Sequence, residues 1–320
     1  MKIRRLWLIP LLPPFLLLTL LGLLAGCGTL DEKQRGWIFQ PSDRSWWGGE
    51  SAAQGMSEVW IDFMAQEHDD AAGTPQPAKL HGLWLAHPDL SRRHLKLDEA
   101  PVLLYLHGAR YNVVGSALRA RHMQELGFSV LAIDYRGFGK STAALPSEAS
   151  AYEDARAAWD WLARQYPDRP RYIFGHSLGG AIAIHLAAEV SDERGTLVEG
   201  TFTSIPDVVS SYKWGWLLFW PLDRALITQK MESIKRVGQI GSPLLVVHGS
   251  EDSTIAPALG RQLFDAATGP KRFVLVDGGT HHNTNTIGRP YYREALAELF
   301  GLGAAVGTSG TLRSPRQASR

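Results

Sequence analysis

The chain of 320 residues is 45% hydrophobic and 20% charged, with a formal net charge of +1. Once a leader is set aside, that length suits one large α/β domain better than two small ones. The lysines and arginines are scattered rather than gathered in a basic stripe, which excludes nucleic acid as the expected partner, and the single cysteine, Cys27, excludes an intramolecular disulfide framework.

Lys2, Arg4 and Arg5 precede an apolar stretch from Leu6 to Leu24, the composition of a secretory leader. The residues leave two readings open: a cleaved signal peptide, or an uncleaved N-terminal membrane helix, for which the stretch is nearly long enough. Pro10, Pro13 and Pro14 weaken a regular helix there, and small residues before the lone cysteine favour cleavage. Leu24-Ala25-Gly26-Cys27 resembles the lipobox of bacterial lipoprotein signal peptides. The resemblance implies that residues 1–26 are removed and that Cys27 carries a lipid anchoring the protein to a membrane. It also implies that the domain lies outside the cytoplasm, in the bacterial cell envelope. Gly28 stands where an inner-membrane retention signal would resemble Asp, so the outer membrane is the default.

Residues 27–56 read as a tether, whose Trp37, Trp46 and Trp47 are expected to pack on the domain. Val59 to Met64 and Leu80 to Ala86 read as an antiparallel hairpin at a sheet edge. From Val102 the rhythm becomes strand, helix, strand, helix. The continuous apolar run Val102 to Leu106 has the character of a buried parallel strand. Further strands are expected at Ser129 to Ile133, Arg171 to Phe174, Leu197 to Thr203, Pro243 to Val247 and Arg272 to Val276. Helices are expected over 115–126, 150–165, 181–188, 257–268 and 290–300. This alternation predicts an α/β fold, a mostly parallel sheet with right-handed crossovers and helices on both faces. Residues 57–302 form the predicted domain, with an insertion over about 204–241, and residues 303–320 a disordered tail.

Tyr172-Ile173-Phe174 ends a strand, Gly175-His176-Ser177-Leu178-Gly179 follows as G-x-S-x-G, and a helix comes next. In that context the turn lifts the serine hydroxyl clear of the sheet, so Ser177 is the nucleophile candidate. A serine needs a base and a group to orient that base. The segments ending in Glu251-Asp252 and His281-His282 each follow a predicted strand, where functional groups of open α/β sheets gather. Asp252 and Glu251, and more distantly Asp207, are the candidate acids. His281 and His282 are the candidate bases. The backbone N–H of Leu178 is one expected oxyanion donor. Adjacent histidines point apart and no third ligand stands at a suitable spacing, so no metal is expected. Lys140-Ser141 lacks the upstream G-x-x-x-x-G of a phosphate loop, so neither a nucleotide nor another cofactor is expected.

His107-Gly108-Ala109, Asp134-Tyr135-Arg136-Gly137-Phe138-Gly139-Lys140-Ser141, Gly175-His176-Ser177-Leu178-Gly179-Gly180, His248-Gly249-Ser250-Glu251-Asp252 and Gly279-Thr280-His281 follow one another in the order of a known family. Together they are similar to the α/β-hydrolase superfamily, in particular its Bem46-like, monoacylglycerol-lipase-like and serine-aminopeptidase-type branch. The resemblance implies an α/β-hydrolase fold with a small helical lid. It also implies a Ser177-His281-Asp252 triad and Ala109 as the second oxyanion donor. His107 is expected to support its loop. Gly279-Thr280-His281 resembles the family ending that favours His281, whereas Asn283 resembles the asparagine that favours His282. The lid segment Val208 to Leu222 contains Tyr212, Trp214, Trp216, Phe219 and Trp220, which suits an acyl or aryl substrate.

The expectation is therefore a monomeric serine hydrolase acting on a small-molecule or lipid acyl ester through an acyl-enzyme. Acyl transfer, peptidase or amidase chemistry on the same triad, and a non-catalytic envelope scaffold, are the rival readings.

Overall fold

The computed structural model describes residues 28–43, 48–66, 74–87, 100–212 and 226–302. Eight strands form one sheet: β1 (Ser57–Ala65), β2 (Gln76–Leu85), β3 (Val102–Leu106), β4 (Ser129–Ile133), β5 (Arg171–His176), β6 (Glu193–Glu199), β7 (Leu244–Gly249) and β8 (Lys271–Val276). Their spatial order is β1-β2-β4-β3-β5-β6-β7-β8. β1 and β2 pair antiparallel at the edge, as the hairpin reading expects, and β2 pairs antiparallel with β4. From β4 onward every pairing is parallel.

Every residue of β3 and β4 is buried, which explains their continuous apolar runs: helices cover both faces, so neither side of the strand meets water. The period of two sorts these residues into two core layers. Leu104, Leu106, Leu131 and Ile133 join one layer, and Leu103, Tyr105, Val130 and Phe174 the other. On the first face lie α4 (Glu148–Gln165), α5 (Leu178–Glu189) and α8 (Pro257–Ala266), through Trp159, Ile182 and Leu263. On the second lie α3 (Ala117–Glu125) and α10 (Arg289–Phe300), through Met123, Tyr292 and Leu296. Shorter helices are α2 (Gly49–Ala53), α6 (Ile205–Ser211), α7 (Ser233–Arg236) and α9 (Thr284–Ile287).

Several boundaries differ from the sequence expectation for local reasons. α4 begins at Glu148 because Ser147 is its N-cap. Ser147 Oγ accepts from the Ser150 N–H at 3.1 Å, and Ser150 Oγ accepts from the Ser147 N–H at 2.8 Å. Such a cap contributes about 1 kcal/mol. β6 runs from Glu193 to Glu199 rather than from Leu197 to Thr203, because Gly200 turns the chain with φ of 56°.

In the stretch read as a tether, residues 28–39 form a helix, α1. Arg35 and Phe39, one turn apart, face inward. Phe39 is fully buried, and Arg35 donates to the carbonyls of Pro146, at 3.1 Å, and Leu145. Trp37, expected to pack on the domain, is 70% exposed, because Arg35 and Phe39 occupy the inward face of that helix. Trp46 and Trp47, the apolar stretch Leu6 to Leu24, Cys27 and residues 303–320 lie outside the described residues. So do Trp214, Trp216, Phe219 and Trp220 of the expected lid. No described helix is long and apolar enough to cross a membrane.

Candidate active site

β5 passes into α5 through a single residue, Ser177, with φ 55° and ψ −121°. This is left-handed backbone, which a non-glycine residue adopts only against steric resistance. The flanking glycines make it possible. A Cβ on Gly175 would stand 2.2 Å from the Gly179 carbonyl oxygen, and one on Gly179 would stand 2.0 Å from that of Leu106. The strained turn is locked by three hydrogen bonds. The Ser177 N–H donates to the Glu199 carbonyl at 2.9 Å, and the Ser177 carbonyl accepts from the Gly180 N–H and from Thr201 Oγ1, both at 2.9 Å.

The strand registers bring the other segments to Ser177. Leu106 pairs with Gly175, Glu199 with Val247, and Gly249 with Val276. The loops after β3, β5, β7 and β8 therefore open at one end of the sheet. There, His281 Nε2 lies 3.0 Å from Ser177 Oγ, and His281 Nδ1 lies 2.8 Å from Asp252 Oδ2. The Thr254 and Ile255 N–H groups donate to Asp252 Oδ1 at 2.9 and 2.8 Å. Burial by itself would raise the Asp252 carboxyl. Hydrogen bonds from His248 and His281, the His281 charge and the Ile255 N–H outweigh it and hold the carboxyl well below the ordinary range. Asp252 thus remains an acceptor that fixes the His281 proton on Nδ1 and leaves Nε2 facing the hydroxyl.

The competing residues lie elsewhere. Glu251 is exposed. Asp207 sits in the first turn of α6, accepting from Thr203 Oγ1 and Ser204 Oγ at 2.7 Å each. His282 meets the ring of His281 edge-on, with centroids 5.5 Å apart. Leu178 opens α5, so its N–H is among the helix's first donors without an intrahelical acceptor. Gly108, next to Ala109, packs close to Ser177: a Cβ there would stand 3.1 Å from the Ser177 Cβ. His107 supports this loop, as expected. Its Nδ1 is 2.7 Å from the Gly108 carbonyl, its own carbonyl accepts from Tyr135 Oη at 3.0 Å, and its ring packs on Tyr135 and Phe138.

Sequence reasoning missed the residues behind the triad. Glu199 is buried and accepts from Arg119 Nε at 3.0 Å and from the Tyr292 hydroxyl. Arg119 also donates to the carbonyls of His281 and His282, at 3.1 and 3.2 Å. Burial, then the charges of Arg119 and His281, push His176 well below its ordinary value. Its neutral Nε2–H donates to the His281 carbonyl at 3.1 Å. The one visible signal was a carboxylate closing the apolar run Leu197-Val198-Glu199. Its partners stand 80 and 93 residues away, beyond the reach of any local pattern.

Ser177 and His281 open onto a cleft of about 310 Å³, lined also by Ala109, Arg110, Leu118 and His282. Among the described residues, no group of three or more histidine, cysteine, aspartate or glutamate side chains could hold a metal ion.

The serine aminopeptidase S33 family model matches residues 98–230. An uncharacterised protein of Mycobacterium tuberculosis is 32% identical over 216 residues, covering 67% of this chain and 74% of that protein. Lysophosphatidylserine lipase ABHD12 of Danio rerio is 31% identical over 187 residues, 53% of this chain and 48% of that protein, so the chain spans about half the length of this relative. The esterase Pf2001 of Pyrococcus furiosus superposes with a TM-score of 0.60 at 17% identity, covering 82% of this chain and 96% of that one. A sheet of this order, a serine elbow between β5 and α5, and relatives at this identity agree: the chain belongs to the α/β-hydrolase superfamily.

Proposed function

We propose that the protein is a serine hydrolase that cleaves carboxylic esters through an acyl-enzyme. The observation that carries this reading is the continuous relay from Ser177 Oγ to His281 Nε2 at 3.0 Å and from His281 Nδ1 to Asp252 at 2.8 Å, built on a strained elbow. His281 takes the Ser177 proton as Oγ attacks the carbonyl carbon, and Asp252 stabilises the imidazolium that forms. The N–H groups of Leu178 and Ala109 hold the oxyanion. Collapse of the tetrahedral intermediate expels the alcohol, which receives the proton from His281. Water, deprotonated by the same histidine, then releases the acid. Similarity to an esterase and to a lysophosphatidylserine lipase supports an ester, and a small-molecule or lipid one, as the substrate.

Labelling with a fluorophosphonate tests the nucleophile: wild type labels stoichiometrically and folded Ser177→Ala does not. A wild-type protein that is folded and unlabelled would sink the hydrolase reading.

We also propose that Cys27 carries a lipid, holding the domain on a bacterial membrane outside the cytoplasm. The basic residues, the apolar stretch and the small residues before the cysteine support it. Expressed in a bacterium with a radioactive fatty acid, the wild type incorporates label and sediments with membranes. Equal labelling of Cys27→Ser refutes the anchor.

A further inference from the structure

Gln40 and Arg110 meet at the rim of the cleft, and both are non-glycine residues with left-handed backbone, φ 49° and 81°. Such residues persist only where their surroundings over-determine them, and they cluster at functional sites. Here the surroundings are specific. The Arg110 N–H donates to the Phe39 carbonyl at 2.9 Å, and Arg110 Nε donates to Gln40 Oε1 at 3.0 Å. With Nε held by a neutral carboxamide, the two terminal nitrogens of the guanidinium remain for a ligand.

The charges around the cleft favour an anion. Among the described residues, no aspartate or glutamate lines it. Arg119 is matched by Glu199 at 3.0 Å, and burial depresses both His122 and His176 toward their neutral forms. Burial also depresses His282, with the charges of His281, Arg119 and Arg110 adding to it. Arg110 pairs with no carboxylate among the described residues, so it is the arginine whose charge the cleft leaves unbalanced. A guanidinium binds carboxylate or phosphate through two parallel N–H···O bonds, so its fork selects for such groups.

We propose that Arg110, aimed by Gln40, reads a carboxylate or phosphate close to the scissile carbonyl, so that the protein selects anionic esters; this rests on the hydrolase reading above. Arg110 directly follows Ala109, so the anion recognised lies beside the carbonyl held in the oxyanion hole rather than at the far end of an acyl chain.

The test compares second-order labelling rates for three fluorophosphonates whose arms are equally short, so that the arm's end stays beside the phosphorus: one arm neutral, one ending in a carboxylate and one in a phosphate. In each, Ser177 Oγ bonds to phosphorus, fluoride leaves and the proton passes to His281. The anionic probes are expected to react about tenfold faster than the neutral one. The preferred anion identifies the group read. In Arg110→Ala the ratio of anionic to neutral rates falls to about one. Arg110→Lys keeps part of it, and high salt narrows it in the wild type. A wild-type ratio of one or less overturns the proposal, as does an Arg110→Ala variant that slows all probes equally, which would make Arg110 a loop support alone. If no probe labels the folded protein, the hydrolase reading itself fails, and anion selection with it.

Discussion

Replacing His281 with alanine is expected to lower kcat on a p-nitrophenyl ester by about 10⁴- to 10⁶-fold, close to the effect of Ser177→Ala. His281 is the residue that touches both the hydroxyl and the carboxylate, at 3.0 and 2.8 Å. Without it the Ser177 proton has no acceptor, and the Asp252 carboxylate has no imidazole to orient. The two changes together should cost no more than either alone, because the residues act as one unit. His282 is the contrasting case. Its ring stands edge-on to His281 at 5.5 Å between centroids, so His282→Ala should lower kcat by no more than about tenfold, the range of a cleft-lining contact rather than of the base. Steady-state kinetics on variants matched by circular dichroism would decide it. A larger loss in His282→Ala than in His281→Ala would reassign the base.

The second large effect is on stability. Glu199→Ala is expected to destabilise the fold by about 3–5 kcal/mol, because it strips the partner from a largely buried guanidinium. Glu199 is 1% exposed and holds both Arg119 Nε and the Tyr292 hydroxyl. Its removal leaves these two donors without their acceptor. Urea denaturation should show the loss, and Tm should fall on the order of 10 °C. The double variant Glu199→Leu with Arg119→Leu should recover much of it, since apolar replacement of a whole buried pair is often near neutral. It should not recover activity fully, because Arg119 also ties the carbonyls of His281 and His282. A Glu199→Ala protein within about 1 kcal/mol of wild type would mean that water replaces the carboxylate there.

The fold was legible where one residue type repeats with a physical period. Val102 to Leu106 and Val130 to Ile133 announce buried parallel strands because every position is apolar. Gly175 and Gly179 announce the elbow because only a missing Cβ allows the approach. The place after a strand pointed to Glu251 and Asp252 alike, and the preference for Asp252 came from the resemblance of His248-Gly249-Ser250-Glu251-Asp252 to a family loop. The preference for His281 over His282 likewise rested on a resemblance, since neighbouring loop residues carry no periodicity and only three-dimensional register points one ring at Ser177. Arg119 and Glu199 escaped for a related reason: their pairing joins α3 to the end of β6 across 80 residues. Residues 28–39 escaped because polar side chains and an exposed Trp37 surround the two inward residues, Arg35 and Phe39.

That first helix sets a length scale. It occupies residues 28–39, directly after Cys27, and its far end, at Phe39 and Gln40, touches the Arg110 loop on the cleft rim. Twelve residues at the α-helical rise span about 18 Å, roughly half a bilayer's full thickness. A lipid on Cys27 would therefore make the helix a short rigid spacer, keeping the cleft within reach of the headgroup layer instead of letting it swing on a flexible leash. Lengthening the spacer by whole turns would then move the cleft away from the interface in steps of about 5.4 Å. Turnover of esters embedded in vesicles would decline with each step, while turnover of water-soluble esters would not follow it.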